Sequence, residues 1–184
     1  ITALVLKYRT PNNRAGALQD VQRAIRLARA NAKQWNVDPK RLGVMGFSAG
    51  GHASARASTE FDDISYTAID DADKKSARPD FAALIYPVIT MEDDFVHKGS
   101  RRALFGSSPT PAQIDLLSLE KHIPTNAPPF FLVATMADKT VPVENSLHFY
   151  EALRNAGVSA ELHAYAAGAH GDSRDPQYGP TAKW

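Results

Sequence analysis

Five short apolar runs alternate along this chain with segments of helical periodicity. The runs cover residues 3–8, 42–47, 81–86, 130–134 and 160–165. Such alternation is typical of a parallel β-sheet whose successive strands are joined by helices. In the last run, small or apolar residues alternate with Glu161 and His163, which favours a position near the sheet edge. The sequence therefore predicts an α/β fold with a five-stranded, mostly parallel sheet flanked by helices.

The segments between these runs predict helices. The first helix carries apolar residues at intervals of three and four, from Leu18 to Trp35, and ends before Pro39. A later helix begins at Pro142 and ends at Gly157. Proline suits the first turn of a helix, and glycine suits the position after its last turn.

Size and composition fit one ordinary soluble domain. The chain has 184 residues, of which 43% are apolar and 22% charged, and we expect a single domain over residues 1–184. A formal net charge of +1 gives no electrostatic reason to expect binding to nucleic acid or an anionic membrane. The absence of cysteine excludes disulfides and cysteine nucleophiles, and no apolar run approaches the roughly 20 residues of a membrane span. Any export signal would lie upstream of Ile1, so the cellular location stays open.

Two long connections, residues 58–80 and 89–128, interrupt the alternation. Loops of this length in a compact domain are typically functional or contain short helices. The first holds five aspartates without the spacing of a calcium loop: Asp62, Asp63, Asp70, Asp71 and Asp73. We interpret them as a solvated insertion and not as a metal site. In the second, Lys98, Arg101 and Arg102 have no interleaved aromatic residues, which argues against a nucleic-acid surface.

A G-x-S-x-G motif at residues 46–50 joins the second apolar run to a helical pattern, with Ser48 at its centre. A nucleophilic serine in this motif sits on a tight turn, where flanking glycines leave room for a strained backbone. The helix that follows directs its first N–H groups toward a developing oxyanion. The alternative is a glycine-rich turn without chemistry, since five-residue matches also occur by chance. Because a strand pattern precedes the motif and a helical pattern follows, we predict that Ser48 is a nucleophile.

A serine nucleophile needs a base, and the base needs an acid that orients it. In this fold the acid follows the serine in the chain, and the histidine follows the acid. Asp138 lies just beyond the fourth run and His170 just beyond the fifth, where α/β sheets place their sites. Two alternatives stay open: Asp138 as a cap of the next helix, and His170 as a surface histidine. We expect His52 to pack or hydrogen-bond beside the serine turn. The remaining histidines are interpreted as structural or solvated: His97, His122, His148 and His163.

Seven stretches together carry a family resemblance: residues 6–9, 46–52, 78–81, 84–88, 128–132, 141–146 and 168–171. Through them the chain resembles the acetyl-xylan-esterase-like bacterial carbohydrate esterases of the α/β-hydrolase superfamily. The resemblance implies an α/β-hydrolase fold with Ser48, Asp138 and His170 as the catalytic triad. It implies that the backbone N–H of Ala49 is one oxyanion donor. It also implies removal of short acyl groups, chiefly acetyl, from small acylated sugars or short-chain esters, without a cofactor.

Two departures from that family affect the expectation. The family's first strands and its glycine-rich oxyanion loop would precede Ile1, and its closing helix would follow the last residue. We therefore expect a domain truncated at both ends, whose missing N-terminal segment supplies the oxyanion loop and the second donor. Asp172, so near His170, makes the pocket wall more polar than the family pattern. Two other functions stay open: a general carboxylesterase or peptidase on the same fold, and an inactive fragment that acts as a binding module.

Overall fold

Parallel strands form one sheet in the computed structural model, which describes residues 1–10, 13–92 and 94–172. Four strands lie side by side in chain order among these residues: β1 (Gly43–Phe47), β2 (Phe81–Ile85), β3 (Phe130–Thr135) and β4 (Ala160–Tyr165). They match four of the predicted runs, and β4 lies at an edge of the sheet, as predicted. Because all the pairings are parallel, the carboxyl ends of the four strands lie at the same end of the sheet.

The predicted strand over residues 3–8 is wrong. This segment joins none of the described strands, and Leu4 and Val5 are exposed. An apolar run becomes a strand only where a neighbouring strand completes its ladder of backbone hydrogen bonds. In the described part of the chain, β1 pairs with β2 alone. Side-chain contacts hold the end of the segment instead, since the guanidinium of Arg9 donates to the Asp20 carboxylate.

Helices connect the strands and cover the sheet. They are α1 (Gly16–Ala30), α2 (Ala49–Thr59), α3 (Lys98–Phe105), α4 (Pro111–Leu116) and α5 (Glu144–Asn155). The long connections contain α3, α4 and the 3₁₀ turns Asp71–Lys74 and Leu119–Lys121, in agreement with the expectation of short helices. α2 packs against β1 and β2, whereas α5 packs against β3 and β4. The predicted arrangement of a parallel sheet flanked by helices is confirmed.

α1 is shorter than its apolar stripe predicted. The helix ends at Ala30, short of Trp35, which is 39% exposed. Asn31 follows the helix, and its amide donates to the Leu27 carbonyl at 2.9 Å. Asn36 then adopts φ 52° and turns the chain away. Asparagine ends helices in this way because its short side chain bonds to nearby backbone groups.

The largest core cluster lies between the sheet and α5. Leu84 of β2 and Leu132 of β3 are fully buried, together with Phe149 and Leu153 of α5. Complete burial of one such side chain contributes about 1.5–3 kcal/mol to stability. A second cluster joins α1 to small residues of α2, with Ile25 among its members. These two clusters hold α1, α2 and α5 together with the sheet on which the site is built.

The prediction that the aspartate-rich connection is a solvated insertion is wrong at Asp73. Its side chain is 2% exposed and pairs with Arg23 of α1 at 2.9 Å. It also accepts hydrogen bonds from the Tyr66 hydroxyl and the Ile69 N–H. Burial raises the pKa of Asp73, but these three donors outweigh burial and hold the pKa well below its usual range. Asp73 therefore anchors the connection to α1, whereas Asp71 is exposed, as predicted.

Candidate active site

A tight turn at Ser48 joins β1 to α2. Ser48 has φ 52° and ψ −119°, a left-handed backbone that residues other than glycine rarely adopt. A Cβ on Gly46 would lie 2.1 Å from the Gly50 carbonyl oxygen, and one on Gly51 would lie 2.7 Å from Pro87. Crowding therefore requires glycine at both positions. The turn has the strained strand-to-helix geometry that the motif predicted.

His170 lies between Ser48 and Asp138, within hydrogen-bond distance of both. Its Nε2 is 2.9 Å from Ser48 Oγ, and its Nδ1 is 2.6 Å from Asp138 Oδ2. An ionised carboxylate only accepts, so Nδ1 carries the proton and Nε2 presents a lone pair to the serine hydroxyl. The structure thus brings the three predicted residues together in one chain of hydrogen bonds.

Asp138 follows β3 and is held by backbone donors. Its Oδ1 accepts from the N–H groups of Thr140 at 2.8 Å and Val141 at 3.0 Å, which leaves Oδ2 for His170. The side chain is 1% exposed, and a carboxylate at such depth requires this full set of partners. The N-cap of α5 is Val143, so Asp138 does not cap that helix.

The loop after β4 presents His170. Thr135 Oγ1 donates to the Gly168 carbonyl at 2.7 Å, and Gly168 has φ 115°, which favours glycine. The Asp172 carboxylate accepts from the Ala169 N–H at 2.6 Å, and the Asp172 N–H donates back to the Ala169 carbonyl. Asp172 therefore stabilises the turn that contains His170 through bonds to the Ala169 backbone. Asp138 is the carboxylate that bonds to the imidazole.

Ala49, the predicted oxyanion donor, is the first residue of α2. N–H groups in the first turn of a helix have no partner inside the helix, and the helix dipole favours negative charge there. A cavity of about 360 Å³ adjoins this turn. Its wall includes the N-terminal segment, one face of α2 and α3: Tyr8, Ala49, His52, Ala53, Ala103 and Leu104. Ala49 thus lies between the serine turn and a space lined mainly by apolar groups.

His52 packs beside the turn, as predicted. It is 5% exposed, and its Nδ1 lies 3.2 Å from the Val88 carbonyl oxygen. Burial, assisted by the nearby charge of Arg56, lowers the pKa of His52 to about 3. Since a carbonyl only accepts, Nδ1 carries the proton. Nε2 is then a buried acceptor without a partner among the described residues.

Two other histidines have structural contacts, in agreement with their interpretation. The Nδ1 of His97 accepts from the Ser100 N–H at 3.2 Å and so caps α3. Burial lowers the pKa of His97. His148 packs edge-on against the Phe95 ring, with centroids 5.1 Å apart. Neither contributes to the hydrogen bonds that join Ser48, His170 and Asp138.

Tyr86 is a residue of this site that the sequence did not single out. It follows β2, is 6% exposed, and its ring centroid lies 4.5 Å from that of His170. The available signal was its position, since a residue after a strand shares the carboxyl end of the sheet with Ser48. That signal is weak, because an aromatic residue at the end of an apolar run more often belongs to the core.

Within residues 1–10, 13–92 and 94–172, histidine, aspartate and glutamate side chains form no group of three that could hold a metal ion. The helices of the same ranges are too short or too polar to cross a membrane. Asp70 and Asp73 of the aspartate-rich connection are instead paired with Arg23.

Comparison with protein families identifies the chain's relatives. Residues 3–153 match the sequence profile of the BD-FAE family. The chain belongs to the BD-FAE family. The matched range includes Ser48 and Asp138 and ends before His170.

Two relatives from bacteria have related sequences. An acetylxylan esterase from Xylanibacter ruminicola is 35% identical over 176 residues, which are 93% of this chain and 34% of that protein. Endo-1,4-beta-xylanase B from Butyrivibrio fibrisolvens is 42% identical over 154 residues, which are 84% of this chain and 24% of that protein. The chain therefore spans between 24% and 34% of the length of these two relatives.

A solved structure supports the fold assignment. An acetyl ester-xyloside bifunctional hydrolase from Caldicellulosiruptor lactoaceticus superimposes with a TM-score of 0.83 at 42% identity. The match covers 91% of this chain and 61% of the other. The predicted α/β-hydrolase fold and the resemblance to carbohydrate esterases of that fold are thereby confirmed.

Proposed function

We propose that this BD-FAE chain is the catalytic part of a serine esterase that removes short acyl groups, chiefly acetyl, from carbohydrate esters. The observation that carries the proposal is the chain of hydrogen bonds from Ser48 Oγ through His170 to Asp138, at 2.9 and 2.6 Å. Nucleophile, base and orienting acid with this geometry are the parts that acyl transfer to a serine requires. The names of the acetylxylan esterase and of the acetyl ester-xyloside hydrolase support an acetylated sugar as the substrate.

In the proposed first step, Ser48 Oγ attacks the ester carbonyl while His170 Nε2 takes the hydroxyl proton. Asp138 keeps the proton of the neutral imidazole on Nδ1 and stabilises the imidazolium that forms. The negative charge develops on the former carbonyl oxygen. We assign the Ala49 N–H as one donor to this oxyanion.

The leaving sugar oxygen then takes the proton from His170 Nε2 as the carbon–oxygen bond breaks. The acyl group remains on Ser48 Oγ as an ester. Water attacks that ester while His170 accepts one of its protons, and collapse of the intermediate releases the carboxylic acid and returns the proton to Ser48. In these steps the three side chains move the protons and carry the acyl group, while backbone N–H donors stabilise the oxyanion.

Two measurements on the complete protein test this function. A fluorophosphonate probe, which reacts with activated serines, should label the wild type at Ser48. In the second measurement, the wild type should release acetate from acetylated xylo-oligosaccharides. Ser48→Ala should lose both, whereas Ser107→Ala, at an exposed serine in the long connection, should lose neither. A folded wild-type protein that neither labels nor releases acetate would favour the binding-module alternative. Labelling with release from simple esters only would favour a general carboxylesterase.

A further inference from the structure

Tyr86 has a backbone conformation that its side chain disfavours. Its φ is 38°, and the other non-glycine residues with positive φ in the described chain are Asn36 and Ser48. Asparagine tolerates this region and Ser48 is the predicted nucleophile, but for a bulky aromatic residue a positive φ is a genuine outlier. Such conformations persist only where the surrounding structure imposes them, and they cluster at functional sites.

Tyr86 and Ser48 occupy equivalent places on neighbouring strands. Phe47 at the end of β1 is aligned with Ile85 at the end of β2, so the next residue of each strand lies at the same end of the sheet. The Ser48 N–H donates to the Ile85 carbonyl at 3.0 Å, and the Tyr86 N–H donates to the Val133 carbonyl at 2.6 Å. Bonds to the adjacent strand therefore hold both residues in their disfavoured geometry.

The Tyr86 ring packs against the His170 imidazole. The two centroids are 4.5 Å apart and the planes are inclined by 58°. The hydrogen bonds to Ser48 and Asp138 meet the imidazole at its two nitrogens. Both bonds lie at the edge of the imidazole, and neither contacts its face. The buried Tyr86 ring packs against the imidazole from one side and so limits how far it can tilt.

We propose that Tyr86 is a positioning residue for His170, and that its backbone places the aromatic ring so that Nε2 stays directed at Ser48 Oγ. The proposal rests on the proposed function, in which His170 moves the proton. Proton transfer requires aligned partners within hydrogen-bond reach, and a misplacement of about 1 Å lowers the rate about 10²-fold. Because Tyr86 acts through His170, loss of its ring should lower kcat and leave KM nearly unchanged.

The test compares three variants of the complete protein. Tyr86→Phe keeps the ring and deletes the hydroxyl. Tyr86→Asn deletes the ring and suits the left-handed backbone, which asparagine tolerates. Phe131→Leu is the matched control, because Phe131 packs against the same hydrophobic cluster as Tyr86, but its ring contacts His163 and not His170, with centroids 5.2 Å apart. Hydrolysis of p-nitrophenyl acetate gives kcat and KM, and thermal unfolding checks the fold.

Tyr86→Asn is expected to lower kcat about 10²-fold and to change KM less than about twofold. Tyr86→Phe and Phe131→Leu are expected to retain wild-type kcat and KM. Proton NMR gives a readout that is independent of activity, because it detects the resonance of the Nδ1 proton in the hydrogen bond between His170 and Asp138. Its signal should be sharp in the wild type and in Tyr86→Phe and broadened by ring motion in Tyr86→Asn.

Wild-type kcat in folded Tyr86→Asn would overturn the positioning role, as would an equally large loss in Tyr86→Phe. A Phe131→Leu protein as slow as Tyr86→Asn would also overturn it, because the loss would then follow from removing any packed ring. An inactive wild type with the expected NMR pattern would refute the proposed function and still support the positioning of His170 by Tyr86.

Discussion

Replacement of His52 by asparagine is predicted to remove much of the protein's sensitivity to mild acid. Burial lowers the pKa of His52 in the fold to about 3, against an ordinary value of 6.5 for an unfolded histidine. Between these values the unfolded chain binds a proton and the folded chain does not. The free energy of unfolding therefore falls as the pH decreases from about 6.5 to about 3, and this effect levels off at lower pH.

The two pKa values of His52 set the size of this pH effect on the free energy of unfolding. At about pH 4.5 nearly every unfolded molecule is protonated at His52 while the folded molecule stays neutral there, which lowers the free energy of unfolding by about 3 kcal/mol relative to about pH 7.5. Domains have only about 5–15 kcal/mol of stability in total. His52→Asn keeps a donor for the Val88 carbonyl, because the amide nitrogen replaces Nδ1. It deletes an Nε2 that has no partner in the described part of the chain.

Urea unfolding at the two pH values, for the wild type and His52→Asn, measures the effect. The smaller side chain should lower stability by about 1–2 kcal/mol at both pH values, and this loss cancels when the pH effects are compared. His148→Asn, at an exposed position of α5, is the matched control and should lose as much stability on acidification as the wild type. Equal losses in the wild type and His52→Asn would refute the argument that burial keeps His52 neutral.

Three further predictions concern the proposed chemistry. Ser48→Ala should lower kcat about 10⁶-fold with little change in thermal unfolding, because the half-buried hydroxyl supports little packing; a purified variant that keeps most of the rate would remove Ser48 from the mechanism. Asp138→Asn should lower kcat about 10⁴-fold, because the amide favours the wrong imidazole tautomer. A greater loss in Asp172→Asn would mean that the acid is misassigned. Acetyl p-nitrophenyl esters should react faster than octanoyl esters, because a long chain near Asp172 would lose the ~0.8 kcal/mol gained per buried methylene. A rate maximum at eight or more carbons would contradict a carbohydrate esterase and would implicate the cavity beside Ala49 as an acyl site.

Local patterns were sufficient to predict four of the strands and the places of the site residues. Ser48, Asp138 and His170 each follow an apolar run, and parallel topology brings such positions to one end of the sheet. The sequence could therefore predict that these side chains meet. Their catalytic roles stay predictions until the variants are measured.

The features that the sequence did not predict depend on distant partners. Residues 3–8 have the composition of a strand, but a strand also needs a neighbour to pair with. Asp73 looked solvated because its partner Arg23 belongs to a helix far back in the chain. The role of Tyr86 depends on a positive φ and on contact with a ring from another loop. No local pattern of residue types contains that information.

The separation of 122 residues between Ser48 and His170 has a consequence for biosynthesis. The serine turn, its glycines and α2 are all translated long before β4 and the histidine loop leave the ribosome. A nascent chain that stops short of β4 has the hydroxyl but no base to activate it. In the proposed mechanism the growing polypeptide is therefore chemically inert, and esterase activity arises only when β4 docks beside β3 and brings the histidine loop to Ser48. The recovery of activity during refolding would thus report the docking of β4 and of the histidine loop that follows it.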